Sequence, residues 1–233
     1  MNKKFIAILF LLTTLQSNAL TPYEATYVLS ATTALGSLKV GEAKFKLKLA
    51  ENNEFIFSSQ AFTDSIWKKL YDYSRYEKSI GLEIKSGLTA NYYDLVEIEK
   101  GELSKNNTIR IYQDKGYAIF NNGEHWETKS TNILDELSVY LALSEDLKKN
   151  PDQTEFSYQV IDEKGIQSVT FFSHGEENIN IKNMPIKSML FVSAELEIAL
   201  HVSKEYNYIP LIIERNISKN RFRLILKEFN ILP

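Results

Sequence analysis

Along most of this chain apolar and polar residues alternate one for one over short segments, the period of a strand with one buried face. The pattern is clearest at residues 44–49, 107–112, 178–182 and 221–226, each of which puts its apolar set on one side. Further strands are predicted at 23–30, 54–62, 92–99, 117–120, 155–161, 167–172, 195–202 and 209–215. Between them stand Glu51-Asn52-Asn53, Lys100-Gly101-Glu102, Asp114-Lys115-Gly116, Asn121-Asn122-Gly123, Lys164-Gly165 and Lys219-Asn220. These contain residues that tolerate positive φ and so close tight hairpins. Strands joined in this way pair antiparallel. The expectation is a mainly β fold, a single large curved antiparallel sheet or barrel, since an open flat sheet of this size leaves edges to protect.

Three places depart from simple alternation. Leu38 and Val40 share one parity, whereas Ala43, Phe45, Leu47 and Leu49 share the other, with Gly41 at the slip. A bulge at Gly41 or a turn between two strands accounts for it. Over 133–149, Ile133, Leu134, Leu137, Tyr140, Leu141 and Leu147 fall at helical spacing, which predicts the one principal α-helix, with Leu137 and Leu141 on its buried face. Asn132 is placed to cap it, Asp135 and Glu136 lie in its first turn, Lys148 and Lys149 in its last, and Pro151 follows. A shorter helical patch over 65–73 turns Ile66, Leu70 and Tyr73 toward the sheet and leaves Trp67 and Tyr71 nearer a rim.

The first residues read differently from the rest. Lys3 and Lys4 precede an apolar run from Phe5 to Leu12, and a more polar stretch closes on Ala19. A positive end, a short apolar core and small residues at Ser17 and Ala19 make a secretory signal, residues 1–19, with cleavage after Ala19. The apolar run is shorter than the ~20 residues that span a bilayer. Residues 20–233 then form a single β-rich domain, exported and soluble in the periplasm. The chain has no cysteine, which removes disulfides, thiolate metal sites, thiol nucleophiles and a lipidation anchor together. Lys and Arg number 27 against 30 Asp and Glu, with signs interspersed, so nucleic acid is not the expected partner.

Catalytic chemistry is hard to assemble from these residues. His125, His174 and His201 are far apart and have no second ligand at metal spacing; His174, in Ser173-His174-Gly175-Glu176-Glu177, reads as a solvated turn. No nucleophile elbow, phosphate loop or dinucleotide fingerprint is present. Adjacent carboxylates such as Asp135 and Glu136 point in different directions. No metal, no cofactor and no enzymatic activity are expected. Aromatic residues are what rise above background: 13 Tyr, 13 Phe and 2 Trp. In 66–76 they interleave with cations, so Trp67, Lys68, Lys69, Tyr71, Arg75 and Tyr76 are the candidate ligand-binding residues, rings for apolar area and cations for a charged head group. The same rings equally suit a filled β core.

Several short stretches, taken in order, resemble an uncharacterised domain family of exported, β-rich proteins of the Gram-negative envelope. They are Tyr23-Glu24-Ala25-Thr26-Tyr27, Lys39-Val40-Gly41-Glu42-Ala43, Gly87-Leu88 before Tyr92 and Tyr93, Ile133-Leu134-Asp135-Glu136-Leu137-Ser138, and Ile209-Pro210-Leu211. Thr89 and Ala90 stand where the family pattern has a proline, and Ala142 and Leu143 where it has an arginine. The resemblance implies a β-rich envelope protein and supplies no catalytic residues.

Two functions of different kinds remain. One is a non-enzymatic periplasmic protein that binds a lipid or other amphipathic envelope molecule inside its curved sheet. The other is an interaction or assembly protein with a solid core that docks onto an envelope protein. A lined internal cavity favours the first; a filled core with exposed apolar surface favours the second.

Overall fold

The computed structural model describes residues 20–33, 36–69, 72–121, 123–128, 132–217 and 220–233. The signal segment 1–19, and with it the cleavage expectation, lies outside the described residues, as do Leu70, Tyr71, Asn122 and Lys219.

The alternating segments form strands β1 (Tyr23–Thr33), β2 (Gly36–Leu49), β3 (Glu54–Thr63), β4 (Tyr73–Ile84), β5 (Gly87–Glu99), β6 (Glu102–Tyr112), β7 (Tyr117–Phe120) and β8 (Glu124–Glu127). The second half supplies β9 (Ile133–Asp135), β10 (Glu155–Asp162), β11 (Gly165–Ile181), β12 (Met184–Ser193), β13 (Ile198–Val202), β14 (Pro210–Ile217) and β15 (Asn220–Ile231). Helix α1 (Ser65–Lys68) lies between β3 and β4, and α2 (Ser138–Lys149) between β9 and β10.

All fifteen strands belong to one sheet, in the order β8-β7-β6-β5-β4-β3-β2-β1-β15-β14-β13-β12-β11-β10-β9. Two meanders thus meet at the central β1–β15 pair, and the two edges of the sheet, β8 and β9, are neighbours in sequence. Pairing is antiparallel throughout except where β9 runs parallel to β10, so the sheet is mixed rather than wholly antiparallel. It does not close. Edge strand β9 comes against β5, three strands in from the other edge, and side chains rather than a backbone ladder bridge the gap. The Gln113 amide donates to the carbonyls of Ala90 and Ile133 and accepts from Ile133 N–H; Glu163 accepts from Lys105 and Asn107.

Three local expectations are corrected. The principal helix begins at Ser138, not 133, because Ile133, Leu134 and Asp135 pair with Gln159, Val160 and Ile161 as a strand. The N-cap position is Leu137, not Asn132, and it makes no side-chain cap bond; the turn ahead of the helix is held by Asp135, whose carboxylate accepts from Leu137 and Ser138 N–H. The segments 167–172 and 178–182 are one 17-residue strand. Its ladder jumps from Ser173 to Glu176, so His174 and Gly175 form a bulge rather than a turn, with Gly175 at φ +94°. At Gly41 the strand is continuous and the bulge forms: Leu29 pairs Gly41 and Ser30 pairs Lys39, leaving Val40 unmatched on that side. A Cβ on Gly41 would stand 2.0 Å from the Phe62 carbonyl oxygen, so only glycine allows this approach.

Helix α2 sits in the concave face. Ser138, Val139, Leu141, Ala142, Leu143, Ser144, Glu145 and Leu147 are all buried, so burial runs round the helix rather than along one stripe, as expected of an element enclosed on all sides. Tyr27, Phe55, Phe57, Tyr93, Phe171 and Phe191 are buried in the same core.

Candidate functional site

Segment 64–76 carries the candidate binding residues, and the structure disperses them. Asp64 accepts from the N–H groups of Ile66 and Trp67 at 3.3 and 3.4 Å and so starts α1, which lasts four residues before β4 begins at Tyr73. Ile66 does not turn toward the sheet: it is 73% exposed, while Trp67 is half-buried. A single turn is too short to present a helical face; Tyr73 already belongs to β4, and Leu70 lies outside the described residues. Lys68 pairs with Asp72 at 3.6 Å on the surface and Lys69 is exposed; Tyr71 lies outside the described residues.

Strand alternation then separates Arg75 from Tyr76. Tyr76 faces outward, 41% exposed, in a cross-strand row with Gln60, Val96 and Asn106. The neighbouring row is Phe62, Ser74, Ile98 and Leu103, of which Leu103 is 60% exposed. Together these rows put Phe62, Tyr76, Val96, Ile98 and Leu103, with Gln60, Ser74 and Asn106 among them, on the outer face of β3–β6.

Arg75 points inward, into a cluster that adjacency in sequence does not disclose. Its guanidinium donates to Glu97 and Glu77, each at 2.9 Å, and reaches Glu136 at 3.8 Å. Glu136 also accepts from Arg215 of β14 at 3.2 Å. Tyr93 and Ser59 donate to Glu77, and Tyr73 donates to Glu97. Burial alone would raise the Glu77 pKa; the charge of Arg75 and the hydrogen bonds from Arg75, Tyr93 and Ser59 outweigh it and hold the carboxyl at about 2. Three carboxylates and two guanidiniums, satisfied mostly by one another, tie β4, β5 and β14 to the turn ahead of α2. Such a network fixes the helix approach and leaves little unengaged for catalysis. One signal was available: Arg75, Glu77 and Ser79 share a parity within β4 and fall beside Ala61, Ser59 and Phe57 of β3, so charges lie on the apolar face.

Space follows the same division. In the seam between α2 and β1, lined by Thr21, Tyr23, Leu141, Ser144 and Glu145, there is room for about 10 Å³, at or below what one water requires. At the β7–β8 edge an open depression of about 380 Å³ is lined by Lys115, Tyr117, His125, Trp126 and Glu127. Trp126 stacks on Phe120 with centroids 5.4 Å apart, and the Tyr117 ring lies 5.3 Å from His125. Among the described residues no group of three His, Asp or Glu is placed to hold a metal ion, and no helix is long and apolar enough to cross a membrane.

The fold defines the class: a β-barrel-like sheet, unclosed, wound round one helix. Among solved structures the chain is similar to the crystal structure of a beta-barrel-like protein of domain of unknown function DUF1849 from Brucella abortus, with a TM-score of 0.58 at 12% identity over 92% of this chain and 99% of that one. At that identity the likeness concerns the fold, and it agrees with the resemblance to uncharacterised β-rich bacterial proteins. No family model matches the chain, and no curated protein matches it significantly.

Proposed function

We propose that this chain is an exported, non-enzymatic protein of the bacterial envelope that works through its outer surface, docking onto a partner envelope protein. The observation that carries this reading is α2, most of whose residues are buried in the space an internal ligand would need. Ligand pockets usually enclose ~300 Å³ or more, far above the room left in the seam. The outer face around Tyr76 and Leu103, in rows with Val96 and Ile98, supplies exposed apolar surface for a protein contact. The core is fastened rather than loosely filled. Ser144 donates to the Tyr208 carbonyl and Tyr27 to the Pro210 carbonyl, in addition to the Arg75 cluster.

Binding of an amphipathic molecule on the concave face is the second reading, favoured by the rings of Tyr23, Phe45, Phe57 and Tyr93 that line it; it requires α2 to leave. Fluorescence titration with a fatty acid and with phospholipid vesicles separates the two. Under the docking reading Trp67 emission is unchanged at micromolar ligand, and a photo-crosslinker at Leu103 or Tyr76 captures a discrete envelope protein. A saturable emission change that vanishes in Trp67→Phe, with Trp126 as the internal control, overturns docking in favour of carriage.

A further inference from the structure

We propose that the depression at the β7–β8 edge is a carbohydrate-binding site, in which a pyranose ring lies against His125 and Trp126 and its hydroxyls meet Lys115, Glu127 and Thr128. The site is separate from the outer face around Tyr76 and Leu103, and the proposal does not depend on docking there.

The backbone beneath the site is held at both ends. Lys115 belongs to the turn Gln113–Lys115, which the Gln113 amide pins to Ala90 of β5 and Ile133 of β9. The turn closes on Gly116 at φ +71°, and the Gly116 carbonyl accepts from Thr128 N–H at 2.8 Å. The lining groups from the turn, β7 and β8 are thus tied together before any ligand arrives, which reduces the ordering cost of binding.

Strand register sorts the rings. Tyr117 pairs with Tyr112 on one side and Glu127 on the other, and Ile119 pairs with His125. Tyr112, Tyr117, His125 and Glu127 therefore share one face of the strands, and Trp126 takes the opposite face. Tyr112 and Tyr117 lie 4.9 Å apart at 35°, and Tyr117 and His125 5.3 Å apart at 30°. This is a tilted ladder of rings. Lys115 Nζ, 5.2 Å from the Tyr112 centroid, closes one end of it. His125 forms the other end, exposed on the strand at the sheet edge. Trp126 stacks on Phe120 and also borders the depression, so ring surface reaches the open space from both sides of β8.

Polar groups complete the lining. Lys115 and Glu127 are exposed, the first able only to donate and the second, ionised, only to accept. Thr128 is different. It is 8% exposed, lines the same depression, and its Oγ1 is buried with no hydrogen-bond partner among the described residues. Native proteins seldom keep such a hydroxyl without a use for it, because an unpartnered buried polar group is costly. The volume of about 380 Å³ falls within the ~300–1,000 Å³ of small-molecule sites.

This mixture selects the ligand class. An acyl chain gives Lys115, Glu127 and Thr128 nothing to bond, and an anion meets the charge of Glu127 as well as that of Lys115. A sugar satisfies both halves of the lining. Its C–H face covers an exposed ring, and each hydroxyl both donates and accepts, so one can donate to Glu127 while another accepts from Lys115.

The test titrates the chain with maltotriose, cellotriose and the trisaccharide of N-acetylglucosamine, with glucose and N-acetylglucosamine as free sugars, and with adenosine as a planar aromatic probe. At least one saccharide should give a saturable change in Trp126 emission at millimolar concentration, retained in Trp67→Phe. A trisaccharide that binds more tightly than its monomer assigns the site to a glycan chain, and equal affinities assign it to a free sugar. His125→Ala, which removes an exposed ring, should weaken binding about tenfold. Thr128→Val should weaken it severalfold while leaving the melting temperature unchanged or higher, since valine keeps the shape and removes the unpartnered hydroxyl. No response to any saccharide, a response to adenosine alone, or a Thr128→Val variant that binds as well as wild type overturns the proposal.

Discussion

Asp64 ahead of α1 and Asp135 ahead of α2 each accept two backbone N–H groups from the start of a helix, at 3.3 and 3.4 Å in the first and 2.9 and 2.8 Å in the second. The local chemistry is the same; the surroundings are not. Asp64 is half-buried over a four-residue turn in which Ile66 stands in solvent. Asp135 is fully buried, takes a further hydrogen bond from Ser79 Oγ on β4, and its own N–H donates to Ser138 Oγ. One aspartate shapes a surface loop. The other joins edge strand, helix and sheet interior at a single carboxylate, and the difference in weight comes from burial.

That contrast is broken most directly by removing each carboxylate. Asp135→Ala leaves two buried N–H groups and the Ser79 hydroxyl without their acceptor and should cost about 4–5 kcal/mol in urea unfolding. The Arg75 cluster extends the comparison within the interior: Arg75→Ala leaves Glu77 and Glu97 buried without their guanidinium and should cost about 3–5 kcal/mol. Leu137, 1% exposed in the turn that Asp135 holds, should cost about 2–5 kcal/mol as alanine. A loss below about 0.5 kcal/mol at that position would mean the turn is not seated in the core.

The buried Asp135 carboxylate also predicts a pH signature. Burial pushes Asp135 up from 3.8 to about 6 against the hydrogen bonds it accepts. Between those values the folded protein binds more protons than the unfolded chain, so this residue's contribution is fully present below about pH 4 and falls as pH rises through 6. The loss is on the order of 3 kcal/mol at most. The difference in stability between wild type and Asp135→Asn, measured from pH 4 to 7, should carry that slope; a flat difference would show that the carboxylate is ionised throughout. At the small end, Asp64→Ala should cost about 0.5–1 kcal/mol, and Ile66→Ala less than about 0.5 kcal/mol.

Period-two alternation was enough to specify a mainly β fold and the inward parity of most strands, because one buried face demands it whatever the partner strand. Asn52, Gly101, Gly116 and Gly165 marked true hairpin turns, each at positive φ, since that conformation is a local cost that few residues escape. Leu137 and Leu141 were legible as core. Tertiary structure decided what local pattern leaves degenerate. Ile133-Leu134-Asp135 reads as helix or strand with equal ease, and only the ladder of β10 makes it a strand. Ile66 reads as a residue turned toward the sheet, and only the shortness of α1 leaves it in solvent. Arg75, Glu77, Glu97, Glu136 and Arg215 come from four parts of the chain, and a charge cluster of that kind is visible only once strand register sets them side by side. Whether the sheet encloses a cavity or a helix was likewise beyond the sequence, because alternation records which side of each strand is buried and not what buries it.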